Sequence, residues 1–419
     1  MLFHHHPSIG VIGLGYVGLP LAVELSFFFD VVGFDISSSR IQELKEGTDR
    51  TREVSPERLR KCNARFTQDS KDLSLQSLYI VTVPTPITPA LEPDLSLLKL
   101  ACQTLGPILR SGNIIIFEST VYPGVSQDLC GQWLEEKSGL KCGKDFFLGY
   151  SPERINPGDH QHNLSSVTKV IAGQNTEVTD IMKRLYGSIN GNNIFVAKSI
   201  KVAEAAKVLE NTQRDINIAC MNEMSQICQA AGISVYDVLD AAETKWNFLP
   251  FRPGLVGGHC IGVDPYYLSF FAKQHKVSSN VILAGRQINE EMTHMMVKTV
   301  KHLPKGSRVA VLGLTFKEGV PDLRNSKAIQ VVQELQSLYS LQVFDPYALP
   351  SEVEDILGIP LESCFQPPYD AILLLVPHSL YTEMLSSEVK SLLTENGYVF
   401  DIKGVWRPFA WEKIQYWTL

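Results

Sequence analysis

The sequence has no excess of cationic charge, no long apolar run and no regular cysteine framework. Its 419 residues include 38 Lys and Arg against 45 Asp and Glu, which gives a formal net charge of -7. Such a balance offers no electrostatic reason to bind nucleic acid or an anionic membrane. The strongest apolar runs, such as Ile114 to Phe117, have the length of strands and are too short to cross a bilayer. We therefore expect neither a nucleic-acid partner nor a membrane span.

The eight cysteines form no Cys-x-x-Cys pair, and the start of the chain lacks the basic segment that opens a secretory signal. Reduced thiols in a cytoplasmic protein are therefore expected. His4, His5 and His6 are interpreted as a flexible start, and no metal site is predicted. The sequence does contain 44% hydrophobic and 20% charged residues, which is typical of a globular chain of two or three domains.

Predicted strands and helices alternate through the first half of the chain, which indicates a doubly wound, mostly parallel sheet. Apolar residues then recur with helical spacing from Ile200 to Ala231, and the alternation restarts at Lys305. The predicted class is α/β, with two Rossmann-like doubly wound domains joined by a long central helix. The expected regions are residues 1–199, a central helical region at 200–303 that can also pack against a partner subunit, and residues 304–419.

A glycine-rich segment follows the first predicted strand and opens a predicted helix, as a dinucleotide-binding turn does. Asp35 ends the next strand, where a carboxylate binds a ribose 2′-hydroxyl and repels a 2′-phosphate; the nearby Arg40 weakens that preference. Thr85 and Thr120 lie in loops after later strands, at the edge where ligands bind. The pattern predicts NAD, bound by Gly13, Gly15, Tyr16, Val17, Gly18, Asp35, Arg40, Thr85 and Thr120.

Cys260 lies in a glycine-rich loop, and a buried structural thiol would be the ordinary interpretation of it alone. The central helix supplies a polar row at spacings of three and four, which places its members on one face. The alternative interpretation is that this row is a solvent-exposed face of the helix. A nearby cation favours the thiolate, and Lys, Asn or main-chain donors stabilise an oxyanion. Together they suggest a thiolate that attacks an aldehyde; the row is Glu204, Lys207, Asn211 and Arg214.

Several other charged residues follow predicted strands or glycine-flanked loops. Glu153 is suited to ordering a water, and Arg154 to holding a phosphate or a sugar oxygen. Lys317 and Arg324 are natural partners of phosphates, and Arg252 lies in another cationic loop. These cations predict a local binding site for a polyanionic ligand, although the protein as a whole is acidic.

Seven ordered segments resemble the UDP-glucose/GDP-mannose dehydrogenase family over nearly the whole length of the chain. The resemblance implies two Rossmann-like domains, of which residues 304–419 bind the UDP-sugar, and a homodimer built on the central helix. The segments are VIGLGYVGLPLAVEL, VTVPTPI, FESTVYPG, YSPERINPGD, EAAKVLENTQRDINIA, FRPGLVGGHCIGVDP and VLGLTFKEGVPDLRNS.

The resemblance also implies a four-electron oxidation of a sugar C6 alcohol by two NAD molecules, through a thiohemiacetal and a thioester on Cys260. Lys207 and Asn211 would stabilise oxyanions, and Asp264 would assist proton transfer. Thr120 and Glu153 would assist the water step. Arg324 would reach the cofactor phosphates, and Arg252 would cross to the neighbouring subunit's sugar site. The implied substrate-binding set is Arg154, Ile155, Lys207, Asn211, Arg214, Arg252, Gly257 and Lys317.

The residues around the thiol depart from the UDP-glucose branch of the family. That branch has GGSCFPKD where this chain has GGHCIGVD, so His259 and Val263 replace a serine and a lysine. These changes resemble the branch that acts on UDP-N-acetylhexosamines for capsule or O-antigen polysaccharides. UDP-N-acetylglucosamine or its galacto epimer is therefore the expected substrate. The alternatives are UDP-N-acetylmannosamine, UDP-glucose, or a non-catalytic nucleotide-sugar sensor.

Overall fold

A computed structural model describes residues 7–154 and 164–419, so His4 to His6 lie outside the described residues. Its contacts divide the chain into two compact units. Unit 1 comprises Met1–Glu210 and Tyr266–Ser278, and unit 2 comprises Asn211–Pro265 and Ser279–Leu419. The region predicted at 200–303 contributes to both units, because its long helix continues from one into the other.

The strands of unit 1 form one sheet, which has eight members in the part of the unit that the structure describes. They are β1 (Ile9–Ile12), β2 (Val31–Phe34), β3 (Arg65–Thr67), β4 (Leu78–Val81), β5 (Ile114–Phe117), β6 (Phe147–Tyr150), β7 (Lys169–Gly173) and β8 (Ile194–Val196). Their order is β3-β2-β1-β4-β5-β6-β7-β8, and the pairs are parallel except β6 with β7. The first six strands have the order of a dinucleotide-binding fold, whose ligands bind beyond the strands' carboxyl ends.

Helices cover both faces of this sheet, so β1, β2, β4 and β5 are buried along their whole length. Capping residues fix the ends of some helices: Asn175 accepts from Val178 N at the start of the longest of them, and Gly191 ends it at φ +63°. The helices are α1 (Gly18–Ser26), α2 (Ser38–Lys45), α3 (Pro56–Lys61), α4 (Ser96–Leu105), α5 (Gly131–Ser138) and α6 (Thr176–Asn190).

Helix α7 (Ile200–Ala231) follows, and its bounds are those predicted from the sequence. In unit 2, the strands are β9 (Arg308–Leu312), β10 (Ser340–Phe344), β11 (Tyr369–Leu374), β12 (Leu393–Asp401) and β13 (Gln415–Thr418). The remaining helices are α8 (Val235–Glu243), α9 (Asp264–Gln274), α10 (Asn280–Val300), α11 (Lys327–Leu335), α12 (Pro350–Leu357), α13 (Ser379–Thr382) and α14 (Ser386–Ser391).

The sheet of unit 2 is parallel throughout its described strands, in the order β10-β9-β11-β12-β13. Alternate residues of β9 enter different cores because side chains of a strand point to opposite faces. Val309 and Val311 pack in one hydrophobic cluster, with residues of α10 and α11. Ala310 and Leu312 pack in the other, which contains the fully buried Trp406. Unit 2 is thus a second layered α/β fold.

The predicted α/β class with two Rossmann-like folds and a long helix is confirmed. Strands β3 and β13 are not predicted by the sequence, because they are short edge strands with polar residues and little apolar alternation. The first helix is predicted to begin near Tyr16, whereas α1 starts at Gly18, because Tyr16 and Val17 belong to the preceding turn. Over the described residues, no helix has the length and apolar character needed to cross a membrane.

Candidate active site

The glycine-rich turn after β1 contains two glycines that the chain itself requires. Gly13 has φ +92°, and a Cβ on Gly18 would lie 1.8 Å from Gly13 O. Gly15 is different, because a Cβ there would meet no heavy atom within 4 Å. The second glycine therefore leaves open space at the mouth of the turn, where main chain approaches a pyrophosphate in this kind of fold.

The carboxylate of Asp35 holds this turn to the end of β2. Its Oδ2 accepts from Leu14 N at 2.9 Å, and its Oδ1 accepts from Ser37 N at 2.9 Å. Arg40 supports the same turn from behind, because its Nε donates to Leu14 O at 2.8 Å. Its guanidinium is buried and also pairs with Glu43 at 2.7 Å and Asp49 at 2.8 Å.

The loops after β4 and β5 are joined at the same edge of the sheet. Thr85 Oγ1 donates to Thr120 O at 2.6 Å. Tyr267, in the part of α9 that belongs to unit 1, donates its hydroxyl to Thr85 O at 2.9 Å and to Pro86 O at 3.1 Å. The structure therefore brings both predicted threonine loops to the carboxyl ends of neighbouring strands.

The polar row of helix α7 is mostly buried. Glu204 is fully buried and Lys207 is 8% exposed, whereas Asn211 is half-buried and Arg214 exposed. Glu204 accepts from Gly124 N at 2.6 Å and from Ser126 N at 3.0 Å, and burial raises the pKa of Glu204 to about 7. A solvated surface therefore describes Arg214 but not the first two members of the row.

A buried ionic cluster lies beyond the ends of β5 and β6. Lys169 Nζ is 2.7 Å from Glu118 Oε2 and 3.4 Å from Glu153 Oε2, and the Tyr186 hydroxyl donates to Glu118 at 2.5 Å. Burial raises the pKa of Glu118, an effect that Lys169 opposes. Burial alone would lower the pKa of Lys169, but the two carboxylates raise it.

Arg154 follows this cluster and points to a carboxylate of its own unit. Its Nη2 lies 2.7 Å from Glu210 Oε1, and its Nη1 donates to Thr168 O at 3.2 Å. Ile155, the next predicted substrate residue, lies outside the described residues.

The loop that carries Cys260 packs tightly in unit 2. A Cβ on Gly257 would lie 2.6 Å from Asn325 O, and one on Gly258 would lie 2.6 Å from the Phe316 ring. Gly258 also has φ +86°, a conformation that glycine adopts readily. The two glycines thus bring the thiol loop against two segments that were predicted to bind phosphates.

Cys260 itself is exposed, and its carbonyl starts helix α9. The carbonyl oxygen accepts from Val263 N at 3.1 Å and from Asp264 N at 2.9 Å. Asp264 is buried, and its Oδ2 accepts from Asn211 Nδ2 at 2.6 Å. The structure therefore joins two of the predicted catalytic residues directly and places the third at the start of the same turn.

His259, the residue before Cys260, lies close to the carboxylate of Asp322. Its Nε2 lies 3.6 Å from Asp322 Oδ2. Asp322 also accepts from Arg324, with Nε at 2.9 Å and Nη2 at 2.7 Å. Although burial alone would raise it, the nearby His259 and the hydrogen bonds from Arg324 hold the pKa of Asp322 well below its usual range.

A cleft beside the thiol loop is lined by Gly257, Thr315, Lys317 and Lys403. No motif in the sequence points to Lys403, which lies two residues after the end of β12. A Cβ on Gly254 would lie 2.6 Å from Lys403 Nζ, so this cation lies against the loop of Arg252. Arg252 itself pairs with Asp240 at 3.2 Å and Glu243 at 2.8 Å.

The strand ends of unit 2 repeat a hydrogen bond seen in unit 1. Asp345, after β10, accepts from Leu314 N at 2.7 Å, as Asp35 does from Leu14 N. The residue after Leu314 is not glycine but the fully buried Thr315, whose hydroxyl lies 3.2 Å from His378 Nε2. Among the described residues, no three His, Cys, Asp or Glu side chains cluster in a way that could hold a metal ion.

Known relatives match this chain over nearly its full length. It is 48% identical over 408 residues to Protein CapL of Staphylococcus aureus, covering 95% of this chain and 96% of the relative. It is 47% identical over 407 residues to the UDP-N-acetyl-D-glucosamine 6-dehydrogenase of Pseudomonas aeruginosa, covering 94% and 96%. The solved structure of the UDP-D-ManNAc dehydrogenase from Pyrococcus horikoshii superposes with a TM-score of 0.86 at 28% identity, covering 98% of both chains.

Three family models account for most of the sequence. The NAD binding domain of the UDP-glucose/GDP-mannose dehydrogenase family matches residues 7–190, the central domain matches 201–291, and the UDP binding domain matches 310–408. The first of these models covers the glycine-rich turn, and the second covers the thiol loop. The chain therefore belongs to the UDP-glucose/GDP-mannose dehydrogenase family, as an NAD-dependent nucleotide-sugar dehydrogenase.

Proposed function

We propose that this chain oxidises the C6 hydroxyl of a UDP-N-acetylhexosamine to a carboxylate, with UDP-N-acetylglucosamine as the preferred sugar. The observation that carries the proposal is the exposed Cys260 thiol, one turn from a buried Asp264 that is hydrogen-bonded to Asn211. A binding protein has no need of such a thiol, whereas an oxidation that passes through an aldehyde does. Two hydrides leave the sugar carbon and one water enters, so two NAD are reduced for each sugar.

The residues of unit 1 fit NAD. Gly15 leaves the space that a pyrophosphate needs, and each oxygen of Asp35 has a lone pair left after accepting one main-chain N–H. We assign the cofactor to Gly13, Gly15, Tyr16, Val17, Gly18, Asp35, Thr85 and Thr120, with Arg324 at the phosphates and Arg40 as the support of the turn. When bound, NAD accepts the hydride in each oxidation.

The protein side chains handle the covalent and proton steps. The thiolate of Cys260 adds to the aldehyde carbon to give a thiohemiacetal, and loss of the second hydride leaves a thioester. The Lys207 ammonium and the Asn211 amide stabilise the oxyanions, and Asp264 takes up the proton that the alcohol releases. Thr120 and Glu153 assist the water that hydrolyses the thioester.

For the substrate, we propose that Lys317 holds the nucleotide phosphates and that Gly257 lets the thiol loop approach the sugar. Arg154, Ile155, Lys207, Asn211, Arg214 and Arg252 complete the proposed substrate-binding set. Lys317 and Lys403 line one cleft of unit 2, which supports an anionic ligand there.

The choice of sugar is supported by the similarity to the Pseudomonas enzyme at 47% identity over 407 residues, against 34% over 356 residues for the UDP-N-acetyl-D-mannosamine dehydrogenase of Pyrococcus horikoshii. His259 is the local feature that supports it, since its contact with Asp322 gives the loop a polar neighbour beside the thiol. The product would be a uronic acid sugar for surface polysaccharides such as capsule or O-antigen.

We further propose a homodimer built on helix α7. Val202, Leu209, Cys220 and Ile227 are all exposed and recur at spacings of 7, 11 and 7, so they share one side of the helix. Burial of that stripe against its copy would be favourable. In the dimer Arg252 would cross to the partner's sugar site. Because Cys260 must stay reduced to act as a nucleophile, we propose a cytoplasmic location.

A substrate panel tests the function. We expect two NADH and one carboxylate for each UDP-N-acetylglucosamine consumed, measured by absorbance and by mass spectrometry of the sugar. UDP-N-acetylgalactosamine, UDP-N-acetylmannosamine and UDP-glucose are the comparison substrates. One NADH for each sugar, with aldehyde as the end product, would contradict the thioester mechanism. Binding without turnover of all four sugars would favour the sensor.

A further inference from the structure

We propose that Lys169 is a positioning residue that fixes the Glu153 carboxylate for hydrolysis of the enzyme-bound thioester. The inference rests on the proposed function, which assigns Glu153 to the water step. Lys169 begins the strand β7 and lies 3.4 Å from Glu153 Oε2 and 2.7 Å from Glu118 Oε2. Lys169, Glu118 and Glu153 are 6%, 2% and 8% exposed, so water screens this contact little.

The ammonium group is held by more than the two ion pairs. The ring of Tyr186 lies 5.1 Å from Lys169 Nζ, and its hydroxyl donates to the other oxygen of the Glu118 carboxylate. The other oxygen of Glu153 accepts from Arg154 N at 2.6 Å. Both oxygens of Glu153 are thereby oriented, and the cation that orients one of them is itself fixed.

The charges of the cluster explain why a cation is needed there. Lys169 faces the carboxylates of Glu118 and Glu153 and the phenol of Tyr186, while the Arg154 guanidinium pairs with Glu210. Two buried carboxylates that share a site resist ionising together, and a nearby cation favours the ionised form of both. Burial already raises the pKa of Glu118, so without Lys169 this pair of carboxyl groups would hold a proton at neutral pH.

The negative charge of the carboxylates matters because hydrolysis of the thioester releases a proton that a carboxylate must accept. The water oxygen bonds to the thioester carbonyl carbon, and one water proton passes to the Glu153 carboxylate. The C–S bond then breaks, and its electron pair leaves on the sulfur of Cys260. A carboxyl pair that already holds a proton accepts another from the water less readily, so the acyl-enzyme would persist.

Lys169→Met tests the proposal, with Lys183→Met as the matched control. Lys183 is a half-exposed lysine of the same unit, ion-paired with Asp180 at 3.0 Å. In Lys169→Met we expect a rapid burst of two NADH per active site and a steady-state kcat at least about tenfold lower than in the wild type. We also expect the acidic limb of the kcat–pH profile to move up by about one unit. Lys169→Arg should restore both, and Lys183→Met should change neither.

Glu118→Gln gives a second test, in which the acidic limb of the kcat–pH profile should shift in the opposite direction. It leaves Lys169 with a single carboxylate, so the acidic limb should move to lower pH. An unchanged kcat and acidic limb in folded Lys169→Met would overturn the inference. If Lys169→Met does not fold, the inference is overturned when Glu118→Gln leaves the acidic limb in place or moves it upward. If the wild type does not yield two NADH per sugar, it is the proposed function that fails.

Discussion

Asn211 donates its side-chain amide to the buried carboxylate of Asp264 at 2.6 Å, so two residues that are 53 positions apart form one unit of the site. Asn211→Ala would remove the proposed oxyanion donor and leave the Asp264 carboxylate without this partner. We expect kcat to fall by about 10²- to 10³-fold with little change in NAD affinity. Stopped-flow kinetics and NAD titration measure the two effects.

Gln213→Ala is the matched control for this substitution, because Gln213 is exposed on the same helix. A kcat for Asn211→Ala within a few fold of that control would remove Asn211 from the reaction.

Cys260→Ser should bind NAD normally and form no carboxylate, because an alcohol is a much weaker nucleophile than a thiolate at neutral pH. Product analysis by mass spectrometry measures the loss. Cys364→Ser is the control, since Cys364 is likewise exposed but lies between α12 and β11. Normal carboxylate yield from Cys260→Ser would refute the covalent mechanism.

Alanine substitutions at two glycines of the first turn should have different effects, one on NAD affinity and the other on the stability of the fold. Gly15→Ala adds a Cβ into open space, so we expect normal thermal stability and NAD affinity at least about tenfold weaker. Gly18→Ala forces a Cβ to within 1.8 Å of Gly13 O, so the turn itself should be destabilised. Differential scanning calorimetry and NAD titration tell the two apart. Equal NAD affinity in Gly15→Ala and wild type would mean that the cofactor does not use this space.

His259→Ser should lower the preference for the N-acetylated sugar. It replaces the residue that contacts Asp322 with the serine of the UDP-glucose branch. We expect the ratio of kcat/KM for UDP-N-acetylglucosamine to that for UDP-glucose to fall by about tenfold. His302→Ser, an exposed histidine in unit 2, should leave the ratio unchanged. An unchanged ratio in both variants would show that His259 has no part in sugar selection.

The buried Glu204 should make stability depend on pH. Burial raises its pKa from 4.5 to about 7, so the folded state holds a proton that the unfolded chain releases. Its stabilising effect is therefore full below about pH 4.5 and is lost as the pH rises through about 7, a change on the order of 3 kcal/mol.

Glu204→Gln should flatten that slope, whereas Glu223→Gln, at an exposed position of the same helix, should keep it. Calorimetric melting at about pH 5 and about pH 8 provides the comparison. The same slope in all three proteins would assign the pH dependence to other groups.

The elements that could be predicted from sequence are those whose signal is local. The glycine spacing after β1 and the apolar recurrence of α7 both lie within one segment, and both predictions hold in the structure. The helical spacing of the polar row already suggested partners for Cys260, and the resemblance to a family gave those residues their expected roles.

The buried cluster around Lys169 could not be predicted in that way. Lys169 and Glu118 are 51 positions apart, and Tyr186 and Glu118 are 68 apart. Each looks ordinary in its own segment, as a charged strand end, a loop acid or a helix aromatic. They form a cluster only because the order of the strands brings the end of β5 close to the start of β7. That place is buried, so water does not reach the charges.

The matching bonds of Asp35 to Leu14 and Asp345 to Leu314 give this chain two crevices built on one plan. The two crevices nevertheless differ in the space that they leave for the pyrophosphate of a dinucleotide. Where unit 1 has the open Gly15, unit 2 has the side chain of Thr315, fully enclosed and bonded to Lys317 O at 3.0 Å. The Thr315 side chain fills the place where main chain would approach a pyrophosphate, which agrees with the proposal that a side chain, Lys317, holds the phosphates in unit 2. If the proposed sites are correct, this one residue makes two similar folds selective, so that NAD binds to unit 1 and the nucleotide sugar to unit 2.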